Sequence, residues 1–322
     1  MEFITYLLYG ITFIITAIIL GSPFFWSFEL ERLTNFRVQY IWLLMLLGVM
    51  ILTCWWYGKI NFWAVFLILC ILSLSLVDLL PWYFSRQQVV IDRSNVLRVM
   101  TFNICALNLE IGSIATSIRS TNPDLVLLVE VTPRMMIDLK VELENDFSYS
   151  FRSPGGGLGV LSKLSLKEPM GIKFPGSNAT NLITTIEYQH RLIKIIGTHP
   201  FAPRRASLFE YRNLQLESIG NYLKDSQTST ILLGDFNLTP WSPYYQRLVK
   251  TANLHNTRMG FGILPTWLRV TDYVEFPSWS FPILNIPIDH ILISKDLKVV
   301  RTYTGDPGNS DHAPLISELA ID

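Results

Sequence analysis

Ile231 to Tyr245 reads ILLGDFNLTPWSPYY, an apolar run that stops abruptly at a carboxylate and an amide. Alternate side chains of a strand share a face. If strand geometry persists, Asp235 and Asn237 therefore point the same way, as a turn or as the lip of an active site. Similar polar punctuation recurs downstream of residue 96. Asn103 ends VLRVMTFN, Glu130 ends DLVLLVE, His199 ends RLIKIIGTH, Asp289 interrupts IPIDHILIS, and Asp311 with His312 precedes APLISELAI.

Taken singly, each position has an ordinary explanation. A strand-ending Asn is a turn residue, and His199 suits a satisfied core position. A carboxylate after an apolar run is costly unless it is paired or binds a metal, so Glu130 is either a salt-bridge partner or a ligand. A buried Asp289 needs a partner, and a histidine is a natural one. The ring of His312 titrates near neutral pH. Together these positions make one carboxylate-rich site the better reading. Three acids and an amide are hard oxygen donors that suit magnesium, calcium or manganese. No Cys/His cluster has zinc spacing, SPGGGLG (Ser153–Gly159) lacks the GK[ST] of a P-loop, and no GxSxG is present.

The elements that would carry these residues alternate. Strand-like runs at VLRVMTFN, DLVLLVEV, GVLSKLSL, NLITTIEYQ, RLIKIIGTHP, TILLGDFN, IPIDHILIS and APLISELAI are separated by helical stretches such as Leu109–Ser120 and the one opening at Pro133. This predicts a layered α/β domain, with function at strand ends and loops.

The first 85 residues are different. Three apolar stretches, Phe3–Leu20, Tyr40–Tyr57 and Phe62–Phe84, hold one charged residue between them, Asp78. Roughly 20 apolar residues span a hydrocarbon core as a helix, and Trp55, Trp56, Tyr57, Trp82 and Tyr83 sit where aromatic rings favour the interface. We read 1–85 as a three-helix membrane anchor and 86–322 as a soluble domain. The first apolar stretch lacks the basic flank of a cleaved signal peptide. Arg32 and Arg37 in the first loop, with Arg86, Arg93 and Arg98 after the third helix, lean those segments toward the cytoplasmic side.

Lys+Arg and Asp+Glu both number 26, so no basic excess marks nucleic-acid binding, although a local basic groove is compatible with neutrality. Cys54, Cys70 and Cys105 form no disulfide framework. Arg204 and Arg205 are candidates for gripping phosphate or for opening a helix. Trp241, Tyr244, Tyr245 and Trp267 are candidates for a substrate groove or for packing.

In order, TFN (Thr101–Asn103), VLLVEV ending its core at Glu130, GTHP (Gly197–Pro200), GDFN (Gly234–Asn237), IDHIL (Ile288–Leu292) and SDH (Ser310–His312) resemble the endonuclease/exonuclease/phosphatase superfamily. The arrangement is most similar to its membrane-anchored bacterial type. The resemblance implies a four-layered α/β/β/α sandwich after three transmembrane helices, in a multi-pass protein of a bacterial inner or plasma membrane. It implies a Mg²⁺-dependent phosphoester hydrolase (Mn²⁺ or Ca²⁺ being possible) in which Glu130, Asn103 and Asp311 bind the metal. Asp235 positions and deprotonates water, Asn237 holds that water or a phosphate oxygen, and His312, oriented by Asp289, contacts the scissile phosphate. His199 contacts phosphate and protonates the leaving oxygen. A histidine at 199 resembles the deoxyribonuclease I and sphingomyelinase branches. The substrate implied is a phosphoester, either a lipid head group, a nucleic acid or a small molecule. The alternatives are a nuclease on the same scaffold and an inactive membrane scaffold. No protein partner follows from the sequence.

Overall fold

The structure is a computed structural model that describes residues 2–84 and 96–321, apart from 176, 178, 274–276 and 278. The expected boundary between 85 and 86, and Arg86 and Arg93, lie outside the described residues. The chain opens with α1 (Glu2–Gly21), the one-turn α2 (Phe28–Glu31), α3 (Arg37–Trp56) and α4 (Phe62–Tyr83). It continues through β1 (Leu97–Asn103), α5 (Ile111–Thr121), β2 (Leu125–Val129), α6 (Pro133–Glu142), β3 (Tyr149–Arg152), β4 (Leu158–Ser162), β5 (Lys167–Ile172), β6 (Asn181–Tyr188) and β7 (Arg191–Thr198). Then come α7 (Ala206–Leu223), β8 (Ser229–Asp235), α8 (Pro243–Thr251), β9 (Leu254–Asn256), α9 (Ser280–Leu284), β10 (Asp289–Ser294), β11 (Leu297–Thr304) and β12 (Leu315–Ile321).

Two six-stranded mixed sheets form, ordered β11-β12-β1-β2-β4-β3 and β5-β6-β7-β8-β10-β9. Strand alternation builds three apolar layers. Val99, Leu127, Ile195, Leu233 and Ile291 meet between the sheets. Met100, Phe102 and Leu128 face outward under Ile114, Ile118 and Leu139 of α5 and α6. Ile196, Leu232 and Leu292 face the other way under Leu216, Ile219 and Leu248 of α7 and α8. Strands buried on both faces read as continuous apolar runs, which is why β2 is LVLLV. The result is the expected α/β/β/α sandwich. The edge strands β3, β5, β9 and β11 were not legible as apolar runs. Their burial is mixed because they sit at or near sheet edges.

α1, α3 and α4 are long and apolar enough to cross a membrane. They share a buried seam of Ile15, Ile19, Ile41, Leu44, Ile51 and Ile68 while exposing large apolar side chains such as Phe13, Trp42 and Phe66. The end of α1, the start of α3 and the end of α4 meet at one end of the bundle. Arg37 ties them there, donating to the Ile19 carbonyl at 2.9 Å and the Ser22 hydroxyl at 2.8 Å, and pairing with Asp78 at 2.9 Å.

That end rests on the sandwich. The Trp26 carbonyl accepts from the Tyr244 hydroxyl, the Pro81 carbonyl accepts from the Gly260 amide at 3.0 Å, and Trp82 packs on Trp241 with centroids 5.8 Å apart. The central contact is ionic. Glu31, at the end of α2, sits 3.2 Å from the Arg212 guanidinium of α7, and both side chains are fully buried. Arg212 also donates to the backbone carbonyl of Asn237 at 3.0 Å. Removing one partner of a buried pair leaves the other charge uncompensated, at a cost of about 3–5 kcal/mol. Glu31→Ala is therefore expected to lower the thermal midpoint of the full chain sharply. Glu31→Met with Arg212→Met is expected to recover part of that loss. Scanning fluorimetry in detergent checks both; a double variant no better than Glu31→Ala counts against the ion pair as the origin.

Candidate active site

The site lies where the inner faces of both sheets run out. On β1, Leu97 and Val99 belong to the inter-sheet core, and Asn103 continues their parity. On β8, Ile231 and Leu233 lead to Asp235, and on β10 Asp289 begins the series continued by Ile291 and Ile293. His199 follows β7, in step with Ile193 and Ile195. β8 and β10 are antiparallel neighbours with Asp235 opposite Asp289, and β7 runs parallel beside β8. Four strands thus deliver polar residues to one end of the core.

Local backbone geometry explains the GDFN sequence. Gly234 has φ +144°, and a Cβ there would lie 1.9 Å from the Thr198 carbonyl oxygen, so β7 and β8 close together only over glycine. The strand ends at Asp235, so the expectation that strand geometry carries Asp235 and Asn237 onto one face is corrected. Asn237 is left-handed (φ 53°), and its amide N–H donates to Asp235 Oδ1 at 2.8 Å, as in an Asx turn. Its side chain donates to the Pro200 carbonyl at 3.0 Å, next to His199. Glu130 is also left-handed (φ 62°) just past β2. The SPGGGLG loop backs it, through a bond from the Val131 amide to the Gly157 carbonyl at 2.9 Å.

Asn103 is the hub. Its side-chain nitrogen donates to Glu130 at 3.3 Å and to Asp235 Oδ2 at 3.1 Å, and it lies 3.5 Å from His312 Nε2. Its side-chain oxygen accepts from the Cys105 amide at 3.1 Å. His199 Nε2 is 3.8 Å from both Glu130 and Asp235. His312 Nδ1 bonds Asp289 Oδ2 at 2.8 Å, leaving Nε2 3.8 Å from Asp235. Asp311 stands to one side, its carboxylate accepting from the Trp267 indole at 3.1 Å.

Burial decides the charges here. It pushes the Asp235 carboxyl up to about 8, reinforced by the neighbouring Asp289 carboxylate. Burial also opposes charge on Asp289, but the His312 imidazolium outweighs it and holds Asp289 below the usual carboxylate range. The same burial opposes charge on His312, yet Asp289 and Asp235 raise it to about 10. For His199 burial prevails over the attraction of Glu130, and the ring favours its neutral form. The site therefore holds one ion pair, Asp289 with His312, and beside it a carboxyl short of positive charge.

That shortage suits a cation. Among the described residues, Asp235, Asp289 and His312 bring one potential ligand atom each within 4.8 Å of one another, but the His312 ring held charged by Asp289 has no lone pair to give, so the carboxylate oxygens are the donors of that cluster. Asp289 Oδ1 is buried without a hydrogen-bond partner. The half-buried Glu130 adds oxygen donors at the open side. This set is oxygen-rich, as a hard divalent ion requires. Asn103 turns its nitrogen rather than its oxygen toward the acids, and Asp311 gives one carboxylate oxygen to the Trp267 indole.

The remaining candidates divide. Tyr245 is buried against His290, Trp241 packs on Trp82, and Tyr244 meets Trp26, so these three serve packing. Only Trp267 reaches the site, by its bond to Asp311. Arg204 and Arg205 are exposed at the start of α7. Thr266 and Arg212 carried no sequence signal, and Ser310 was legible only as part of the SDH motif. Ser310 donates to the Asn103 carbonyl at 2.7 Å and accepts from the His312 amide. Thr266 accepts from the Asp289 amide at 3.3 Å, and Arg212 holds the Asn237 carbonyl.

Residues 100–312 match the family model described as Endonuclease/Exonuclease/phosphatase family. A search of curated protein sequences returned no match. Among solved structures, an endonuclease/exonuclease/phosphatase from Beutenbergia cavernae is 22% identical with a TM-score of 0.57, over 70% of this chain and 72% of that one. The human Nocturnin catalytic domain with bound sulfate is 20% identical with a TM-score of 0.55, over 71% and 95%. Sphingomyelinase C from Streptomyces griseocarneus is 15% identical with a TM-score of 0.53, over 69% and 99%. At these identities the structures speak for the fold alone, while the sequence match covers well over half of the chain and the ordered motifs fall inside it. The chain belongs to the endonuclease/exonuclease/phosphatase family.

Proposed function

We infer that this protein is a membrane-anchored, divalent-metal-dependent phosphoesterase that cleaves its substrate by attack of an activated water. Residues 1–85 are its anchor and 86–322 its catalytic domain. The observation that carries the reading is the convergence of Asn103, His199, Asp235 and Asp289 from inner-face strand ends with Glu130 just past β2 and His312 ahead of β12. That placement buries the polar cluster against a rigid core while Glu130 stays at its open side. The three long apolar helices support the anchor. Arg32 and Arg37 lie at the end of the bundle that carries the sandwich, and Lys59 lies at the other, which favours a cytoplasmic sandwich.

Asp235 is the base. It is fixed at the end of a central strand and takes a proton from water, while Asn103 orients its outer oxygen. His312, held charged by Asp289, presents Nε2–H to a phosphate oxygen and stabilises the negative charge that builds there. His199 donates a neutral N–H to the phosphate on the Glu130 side. The Asn237 amide uses one N–H on Pro200 and offers the second to an incoming oxygen. Glu130, with Asn103 and Asp311 after reorientation of their side chains, would hold the metal. A bound divalent ion neutralises phosphate charge and lowers the proton affinity of the nearby carboxyl.

A lipid head group is the substrate class this architecture favours, since tethering raises the local concentration of membrane-borne substrate. Nucleic acid and small phosphoesters are the competing classes.

The test uses the full chain in detergent with bis-p-nitrophenyl phosphate, plasmid DNA and phospholipid vesicles in parallel. Asp235→Ala is expected to reduce kcat by roughly 10²–10⁴-fold without shifting the thermal midpoint downward. Undiminished turnover would remove Asp235 from the mechanism. EDTA is expected to stop hydrolysis and excess Mg²⁺ to restore it; turnover indifferent to chelation would sink metal dependence. Asp289→Asn keeps the shape but weakens the hold on His312. It is expected to lower kcat by about 10²-fold or more with little change in KM. A change confined to KM would limit Asp289 to a structural role.

A further inference from the structure

A groove of 670 Å³ opens at the seam between the helical bundle and the sandwich, apart from the strand-end site. Trp26, Arg37 and Asp78 line it from the bundle, and Trp241, Arg247 and Lys250 from the sandwich. Its one carboxylate, Asp78, is taken up by Arg37 at 2.9 Å. Arg247 and Lys250 lie three residues apart on α8 and so share a face. Both are exposed, and among the described residues neither has a carboxylate partner within ion-pair distance. Arg247 is nevertheless held in place, its guanidinium 4.3 Å from the centroid of the Trp26 ring. The groove thus keeps a net positive charge at a defined position.

The groove's depth in the chain identifies what it meets. α1 ends at Gly21, α3 begins at Arg37 and α4 ends at Tyr83, and these ends lie together beneath the groove. On the membrane-anchor reading, on which this inference rests, they mark the boundary between hydrocarbon and water. Phospholipid phosphates occupy that level, and Trp side chains favour it. Basic pockets at helix ends are suited to anionic head groups. Along their length α1 and α4 expose apolar side chains such as Phe13 and Val77, the kind of surface acyl chains pack on.

We propose that this seam groove is a binding site for an anionic phospholipid, with the lipid phosphate between Arg247 and Lys250 and the glycerol region against Trp26. The site is separate from the catalytic cluster, and its occupant is a bound structural lipid rather than substrate. The lipid would bridge anchor and sandwich beside the Glu31–Arg212 contact, bracing the seam from its open side.

Native mass spectrometry of the full chain tests this, with phosphatidylglycerol and phosphatidylcholine offered at equal concentration in detergent. The wild type is expected to retain phosphatidylglycerol preferentially. Arg247→Gln with Lys250→Gln is expected to reduce that preference roughly tenfold or more. Arg247→Lys with Lys250→Arg is expected to keep most of it. Hydrolysis of the soluble diester is expected to be unchanged in both double variants, which reports that they fold. Equal retention of the two lipids by the wild type overturns the proposal, as does a preference that survives the loss of both cations. Failure of the anchor reading shows separately, as a chain that stays monodisperse without detergent, and that result also overturns the lipid site.

Discussion

Two carboxylates, Asp235 and Asp289, face each other across adjacent antiparallel strands at the dry end of the core. Both cannot be charged there without compensating positive charge. His312 compensates one of them through the 2.8 Å bond to Asp289. The other is left with a raised affinity for protons. Much of the site follows from that imbalance. Asn103 donates to Asp235, the Asn237 amide donates to its second oxygen, and Glu130 brings further negative charge to the open side.

The sandwich makes the imbalance tolerable. The central strands are largely apolar on their inner faces, and the residues of the site come where that inner layer ends. The polar side chains of the cluster are therefore anchored directly to the packed core. Gly234 shows how tight this is, since β7 and β8 approach too closely there for any side chain.

The helical bundle is coupled to the same scaffold. Glu31 enters the sandwich as a fully buried charge and meets Arg212, which also holds the Asn237 carbonyl. Two contacts thus join α2 to Asn237, the last residue of GDFN. Buried ion pairs contribute little net stability compared with apolar packing, but they resist alternative arrangements because either charge alone is costly.

The sequence by itself determined the apolar helices, the layered α/β plan and the order of the polar strand ends, because apolar periodicity and runs are local properties. Asn103, Glu130, His199, Asp235, Asp289 and His312 were all legible as interruptions of apolar runs, and the structure brings them together. Their mutual contacts were decided by tertiary structure. Which strands become neighbours, and in what register, depends on pairings between residues as far apart as Asn103 and Asp235. The turn at Asn237, the sideways Asp311 held by Trp267 and the nitrogen-inward Asn103 also depend on distant partners. Arg212 and Glu31 are ordinary charged residues in sequence, separated by 181 positions. Only the fold removes both from water, and that removal gives the pair its meaning.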